Sequence, residues 1–153
     1  MGKFFSWLLV GVSILFFVLL FVFKSKLNDT ASDMIYAQLN ENEKQNISVF
    51  IDSLYNYKNN QQSYQITFLE FGSTGCSACK RMEKVMEEIR VQYPHEIKVI
   101  FYNITLPENQ KLMKFFGVSV IPTQILLNAE GEEFFRHTGF ISVEKLIQKI
   151  PKN

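Results

Sequence analysis

The chain has few residues of several types, and each shortage excludes a class of site. Its 153 residues include two cysteines, two histidines, four prolines and one tryptophan, and its net charge is +1. Basic and acidic residues are nearly balanced, without the basic stripe that nucleic-acid-binding proteins carry. His95 and His137 lie far apart and lack the short His-to-His spacing of a zinc finger. We therefore expect no nucleic-acid partner, and the favoured interpretation includes no metal site.

The two cysteines are close together, in the segment Cys76-Ser77-Ala78-Cys79. This spacing allows a small disulfide ring that can close and open again. A cysteine at a helix N-terminus has a lowered pKa, because the unpaired backbone N–H groups stabilise the thiolate. The thiolate is the form that attacks disulfides. Since a helix is predicted to begin here, the spacing predicts a redox pair in which Cys76 attacks and Cys79 resolves.

Other uses of the same spacing require features that the chain lacks. A structural zinc site needs four ligands, of which the pair supplies two. A purely structural disulfide of this size would constrain little of the unfolded chain. A c-type haem site needs a histidine after Cys79, where Lys80 stands. Binding of a soft ion such as Cu(I) by the two thiolates stays open.

An apolar run over 4–23 is the second prominent feature, interrupted only by Ser6, Gly11 and Ser13. About 20 apolar residues can cross a bilayer as a helix. A cleavable signal peptide would have a shorter apolar region and a small-x-small cleavage site. The sequence therefore predicts a retained transmembrane anchor in contact with lipid. Lysines flank both ends, so charge does not decide the orientation. We expect a single-pass protein of the cytoplasmic membrane whose domain lies outside the cytoplasm.

Beyond this run, helical and strand patterns alternate. An amphipathic helix is predicted to include 47–55. The later elements are strand 66–71, helix 76–91, strand 97–102, a helix between Pro107 and Gly117, strands 124–127 and 132–137, and helix 142–150. Such an order predicts an α/β fold, with a mixed sheet flanked by helices. The predicted organisation is an anchor over 1–27, a polar spacer or helix over 28–45, and a folded domain over 46–153.

These features together resemble the thioredoxin family, over roughly residues 46–153. The resemblance is carried by the strand before the cysteine pair, the pair at a helix start, Gly117-Val118 followed by Ile121-Pro122-Thr123, and Gly139 before the last helix. It implies a thioredoxin-like fold. It also implies that Pro122 follows a cis peptide bond beside the cysteines, where the backbone pairs with an extended substrate chain.

The resemblance also assigns roles to individual residues. Ile121, Pro122 and Gly75 would contact the substrate, although Gly75 stands where many members have tryptophan. Glu70 falls where the family has a buried acid beneath the second cysteine. A carboxylate is out of place in this apolar strand, and burial would raise its pKa and let it exchange a proton with Cys79. Lys84 replaces a proline that kinks the helix in many members, and Ser77-Ala78 is an unfamiliar intervening pair.

By this resemblance the protein is predicted to be an enzyme, a membrane-anchored thiol:disulfide oxidoreductase. It would reduce extracytoplasmic protein disulfides and need no cofactor besides its own redox-active disulfide. The expected partners are protein dithiols or disulfides and a membrane protein that donates or accepts electrons. An oxidase of the same fold, which donates its disulfide, remains open. So does a non-enzymatic module for binding or metal delivery.

Overall fold

A computed structural model describes the backbone of residues 2–151. Within the first helix it describes the side chains of residues 7–20, 22, 23 and 26 onwards. The elements are α1 (Gly2–Tyr36), α2 (Glu41–Tyr55), α3 (Tyr57–Asn60), β1 (Ile66–Gly72), α4 (Ser77–Gln92), β2 (Ile97–Asn103), a 3-10 turn (Pro107–Asn109), α5 (Gln110–Phe115), β3 (Thr123–Leu127), β4 (Glu133–Thr138) and α6 (Val143–Ile147).

The four strands form one mixed sheet in the order β2-β1-β3-β4. β1 pairs with β2 in parallel and with β3 antiparallel, and β3 and β4 form an antiparallel hairpin. β1 is central and buried along its whole length, which explains its nearly continuous apolar sequence. The prediction of an α/β fold with a mixed sheet flanked by helices is confirmed.

Helices cover both faces of the sheet and enclose two apolar clusters. Because side chains alternate along a strand, Phe68 and Leu126 face α4 and α6, whereas Leu69 and Ile125 face α2 and α5. On the first face the cluster includes Met82, Val85, Met86 and Ile89 of α4. Because these residues recur at three- and four-residue intervals, one face of α4 packs on the sheet.

The N-terminal helix differs from the prediction. Among the described residues, no helix is both long and apolar enough to cross a bilayer. The predicted transmembrane helix over 4–23 is therefore not found. Within that range, the side chains at 4–6 and 21 lie outside the described residues.

The polar stretch predicted as a spacer or helix over 28–45 packs on the domain. α1 continues to Tyr36, whose ring meets Phe115 of α5 edge to face at 5.7 Å between centroids. Three residues later Leu39 is buried. Gly117 has φ +57, and a Cβ there would lie 2.7 Å from the carbonyl oxygen of Ser32. This close approach needs glycine, and it fixes the end of α1 against the segment that leads to Pro122.

Candidate functional site

The cysteine pair lies where the chain leaves the central strand and enters α4. Cys76 is the N-cap of α4, and its Sγ accepts a hydrogen bond from the backbone N–H of Cys79 at 3.2 Å. The two residues form a disulfide with their Cα atoms 5.2 Å apart. Cys79 is 3% exposed, whereas Cys76 is partly exposed. Cys76 is therefore accessible to molecules in solution, whereas Cys79 is enclosed by the protein.

The surroundings of Cys76 are positive. The first turn of α4 has no acidic residue, although the positive end of the helix dipole would favour one there. Lys80 and Arg81 follow in the next positions and are exposed, and Arg81 lies over the ring of Phe140 at 4.9 Å. The helix end and the Cys79 N–H both favour the thiolate of Cys76 over its thiol.

Cys79 packs directly against the backbone of Gly72, the last residue of β1. An added Cβ at Gly72 would lie 3.0 Å from Cε2 of Phe101 and 3.3 Å from Sγ of Cys79. Contacts this short are rare for a real Cβ, so a side chain here would force Phe101 and Cys79 to move by a few tenths of an ångström. Gly72 directly follows the predicted strand 66–71 and carries no signal of its own in the sequence. Its role in seating the second sulfur becomes visible only when α4 is packed on the sheet.

Glu70 lies on the same face of β1 as Gly72, because residues two apart in a strand point the same way. The other neighbour on this face is Phe68, which packs with Met82 of α4. Glu70 therefore lies on the face of β1 that α4 covers, between Phe68, which shares a cluster with Met82, and Gly72, which contacts Cys79. Its side chain is fully buried, and this burial raises the pKa of Glu70 from its ordinary 4.5 to about 8. A carboxyl with this pKa can bind and release a proton near neutral pH.

Gln124 is a buried partner of Glu70 that the sequence analysis missed. It lies opposite Glu70 in the β1–β3 ladder, and its Nε2 donates a hydrogen bond to Oε1 of Glu70 at 3.3 Å. Both side chains are fully buried, and Glu70 Oε2 and Gln124 Oε1 have no partner among the described residues. The signal that singled out Glu70 was also present here, because Gln124 is an amide in a strand of apolar neighbours.

Pro122 lies at the same edge of the sheet as the cysteines. Thr123 pairs with Phe71 in the antiparallel β1–β3 ladder, so the start of β3 meets the end of β1. The Ile121–Pro122 peptide bond is cis, as the resemblance implied. Pro122 is buried and its carbonyl accepts the N–H of Gly139 at 2.8 Å, whereas Ile121 is half-buried.

Gly75 is exposed, and it lies one residue before Cys76 at this edge. The structure therefore gathers Cys76, Cys79, Ile121, Pro122 and Gly75 around the end of the central strand, with Glu70 below them. Within the described part of the chain, no three side chains of histidine, cysteine, aspartate or glutamate come together as metal ligands would.

A disulfide between cysteines three positions apart lies at a helix start, on a mixed sheet and beside a cis-proline loop. This arrangement is typical of proteins that exchange disulfides with thiols. The family model described as a thioredoxin-like domain matches residues 50–152. The chain therefore belongs to the thioredoxin-like family, and it is a thiol:disulfide oxidoreductase.

Individual relatives agree with this assignment. The chain is 28% identical over 93 residues to thioredoxin of Bacillus subtilis, a match that covers 61% of this chain and 86% of that protein. Against thioredoxin of Staphylococcus saprophyticus it is 30% identical over 98 residues, covering 64% and 90%. Among solved structures, thioredoxin NaTrxh of Nicotiana alata has a TM-score of 0.50 and 27% identity, covering 61% of this chain and 76% of that one.

Proposed function

We propose that the protein reduces disulfides of other proteins through Cys76 and Cys79. The observation that carries this is the asymmetry of the pair, in which a partly exposed sulfur at the N-cap of α4 is bonded to a buried one. The Cys76 thiolate attacks one sulfur of a substrate disulfide. A mixed disulfide forms, and the substrate's other sulfur leaves as a thiolate and takes up a proton.

The second step closes the ring. The Cys79 thiol loses its proton to the Glu70 carboxylate, and the resulting thiolate attacks Sγ of Cys76. The bond between Cys76 and the substrate breaks, and the second substrate sulfur leaves with the electron pair and is protonated. Two electrons pass from the dithiol to the substrate, and the protein is left with the Cys76–Cys79 disulfide. The position and raised pKa of Glu70 support this role.

Substrate binding is proposed at the edge that carries Ile121, Pro122 and Gly75. Exposed Ser119 and Val120 precede Ile121, so this segment can meet an extended chain without rearranging the core. Gly75 has no side chain that could block the approach to Cys76. The space around it is open, since a Cβ built there would meet nothing within 4 Å. A substrate backbone lying against this segment would bring its disulfide to the accessible sulfur.

We also propose membrane attachment through the N-terminal part of α1, with the redox domain outside the cytoplasm. The support is the apolar sequence over 4–23 and the exposure of its described side chains, for instance Phe17 at 66% and Val22 at 64%. Exposed apolar surface of this extent is typical of contact with lipid or protein. A membrane protein that re-reduces the pair would then complete the cycle.

Trapping of the mixed disulfide tests the proposed chemistry. In Cys79→Ser the resolving thiol is absent, so substrate proteins should accumulate in covalent adducts on Cys76 that a reducing agent releases. Cys76→Ser is the matched control and should form none. Mass spectrometry of the adducts identifies the substrates. Equal adduct formation in both variants would contradict the assignment of Cys76 as the nucleophile.

Two further measurements test the direction of electron flow and the location. Equilibration of the couple with glutathione buffers should give a strongly reducing potential, and a strongly oxidising one would favour the oxidase. Protease added to intact cells should digest the domain, and alkaline washing should leave the protein with the membrane fraction. Protection of the domain, or its release by the wash, would contradict the proposed location.

A further inference from the structure

The most unusual feature of this site is the buried pair of Glu70 and Gln124. Each side chain is fully buried, and one hydrogen bond of 3.3 Å joins them. A buried polar atom without a partner costs about 1–3 kcal/mol, and this pair leaves two such atoms, one on each side chain. A leucine at position 124 would avoid the cost that the amide brings. The fold alone therefore does not account for an amide here.

The amide of glutamine suits both protonation states of a carboxyl group. Its NH2 group donates to an ionised carboxylate, and its carbonyl oxygen accepts from a protonated carboxylic acid. In the structure, Nε2 of Gln124 faces Oε1 of Glu70, while Oε1 of Gln124 has no partner among the described residues. A lysine could only donate and an apolar residue could do neither. Glutamine is therefore matched to a carboxyl that gains and loses a proton in each cycle.

The ladder fixes this contact. Glu70 and Gln124 are direct partners in the β1–β3 register, and Gln124 pairs in turn with His137 of β4. On the other side, β2 places Phe101 opposite Glu70. On this face of β1, Phe68 shares a cluster with Met82 of α4, and Gly72 contacts Cys79. His137 is the titratable residue that pairs with Gln124 in β4, and its Nε2 lies 3.3 Å from the carbonyl oxygen of Phe140.

We infer that Gln124 is a positioning residue for the reaction: it holds the Glu70 carboxyl beneath Cys79 and keeps it able to take the Cys79 proton. This inference rests on the proposed role of Glu70. The hydrogen bond from Gln124 opposes the effect of burial, since it stabilises the ionised carboxylate and lowers the pKa of Glu70. Removal of the amide raises that pKa further, and a cation at position 124 lowers it.

Two substitutions at one position should therefore act in opposite directions. In Gln124→Met, an unbranched side chain of similar length removes the hydrogen bond. The acidic limb of the pH–rate profile of the resolving step should then move to higher pH by about one unit. In Gln124→Lys, a positive charge beside Glu70 should move the limb to lower pH. Loss of packing cannot produce shifts of opposite sign.

The experiment measures two quantities in the full-length protein. The first is the single-turnover release of a fluorescent thiol peptide from its mixed disulfide with Cys76, between pH 5 and 10. The second is the pKa of Glu70, from 13C NMR of its carboxyl carbon in the reduced protein. His137→Gln is the matched control, because it removes the titratable side chain that pairs with Gln124 in β4. It should leave the pKa of Glu70 unchanged.

The outcomes separate the two proposals. If Glu70→Gln leaves peptide release unchanged at every pH, the proposed role of Glu70 is wrong. If Glu70→Gln slows release but Gln124→Met keeps the wild-type limb and the wild-type Glu70 pKa, the role of Gln124 is overturned and that of Glu70 stands. Should Gln124→Lys fail to fold, the direction of the shift in Gln124→Met decides.

Discussion

Replacement of the buried carboxyl by an amide should stabilise the protein at alkaline pH. The substitution is Glu70→Gln, which keeps the size of the side chain and removes its charge. In the folded protein the pKa of Glu70 is raised from 4.5 to about 8, because the carboxylate is buried. Above its folded pKa the wild-type protein must hold a charge in the core, and the variant holds none.

The sign of the effect follows from the order of the two pKa values. As the pH rises from 4.5, the unfolded chain releases the Glu70 proton while the folded protein retains it. The contribution of Glu70 to the free energy of unfolding therefore falls until about pH 8 and then levels off. Since one pKa unit corresponds to about 1.4 kcal/mol, the carboxylate costs about 5 kcal/mol above pH 8 and about 3 kcal/mol at pH 7.

Urea denaturation of the oxidised protein in mild detergent, followed by circular dichroism from pH 4 to 9, measures this difference. The stability of Glu70→Gln relative to wild type should increase by about 5 kcal/mol across the range. Glu83→Gln is the control, because it removes an exposed carboxyl from α4. The free energy of unfolding of this control should show the same pH dependence as that of the wild type. The reasoning is refuted if Glu70→Gln also runs parallel to wild type at every pH.

Two glycines give further predictions. Gly72→Ala should destabilise the domain by about 1–3 kcal/mol and perturb Cys79, because the new Cβ meets Phe101 at 3.0 Å, whereas Gly75→Ala should leave stability within about 0.5 kcal/mol. Thermal unfolding measures the stability of both variants. The rate of Cys79 alkylation in the reduced protein measures the perturbation of Cys79. Gly117→Ala should loosen the end of α1, because its Cβ would lie 2.7 Å from a carbonyl oxygen of α1, and hydrogen exchange over 28–36 should become faster.

Each glycine prediction has a result that contradicts it. Equal stability of the alanine variants at 72 and 75 would mean that the second sulfur is not seated on the strand backbone. For Gly117, the control is Gly139→Ala, which also has positive φ but open space around its Cβ. If both variants affect hydrogen exchange over 28–36 equally, the contact with Ser32 is not what holds α1.

Much of the fold could be predicted because local patterns and packing agree. The central strand shows a nearly continuous apolar sequence, and the helix after it shows one apolar face. Ser142 was predicted to begin the last helix and is its N-cap. The predicted boundaries of the four strands are each within one residue of the observed ones. Cys76 and Pro122 stood out because few other residues can perform their chemistry.

The missed features depend on contacts between distant segments. The burial of Gln124 follows from the β1–β3 register, which the sequence does not reveal. The polarity of the stretch after residue 27 suggested a spacer, yet Ser32 and Tyr36 contact α5 and the segment that follows it. Gly72 looks like an ordinary turn glycine until Cys79 is placed against it. In each case a residue gains its role from a partner in another segment of the fold.

The unequal exposure of the two sulfurs has a practical consequence. The chain has no third cysteine, so every alkylated thiol in it reports on one redox couple. After reduction, a bulky maleimide should modify Cys76 well before Cys79, because only the former reaches the surface. A gel shift of one or two labels would then separate oxidised, reduced and partner-bound molecules in a cell extract, without an antibody specific to any of these forms.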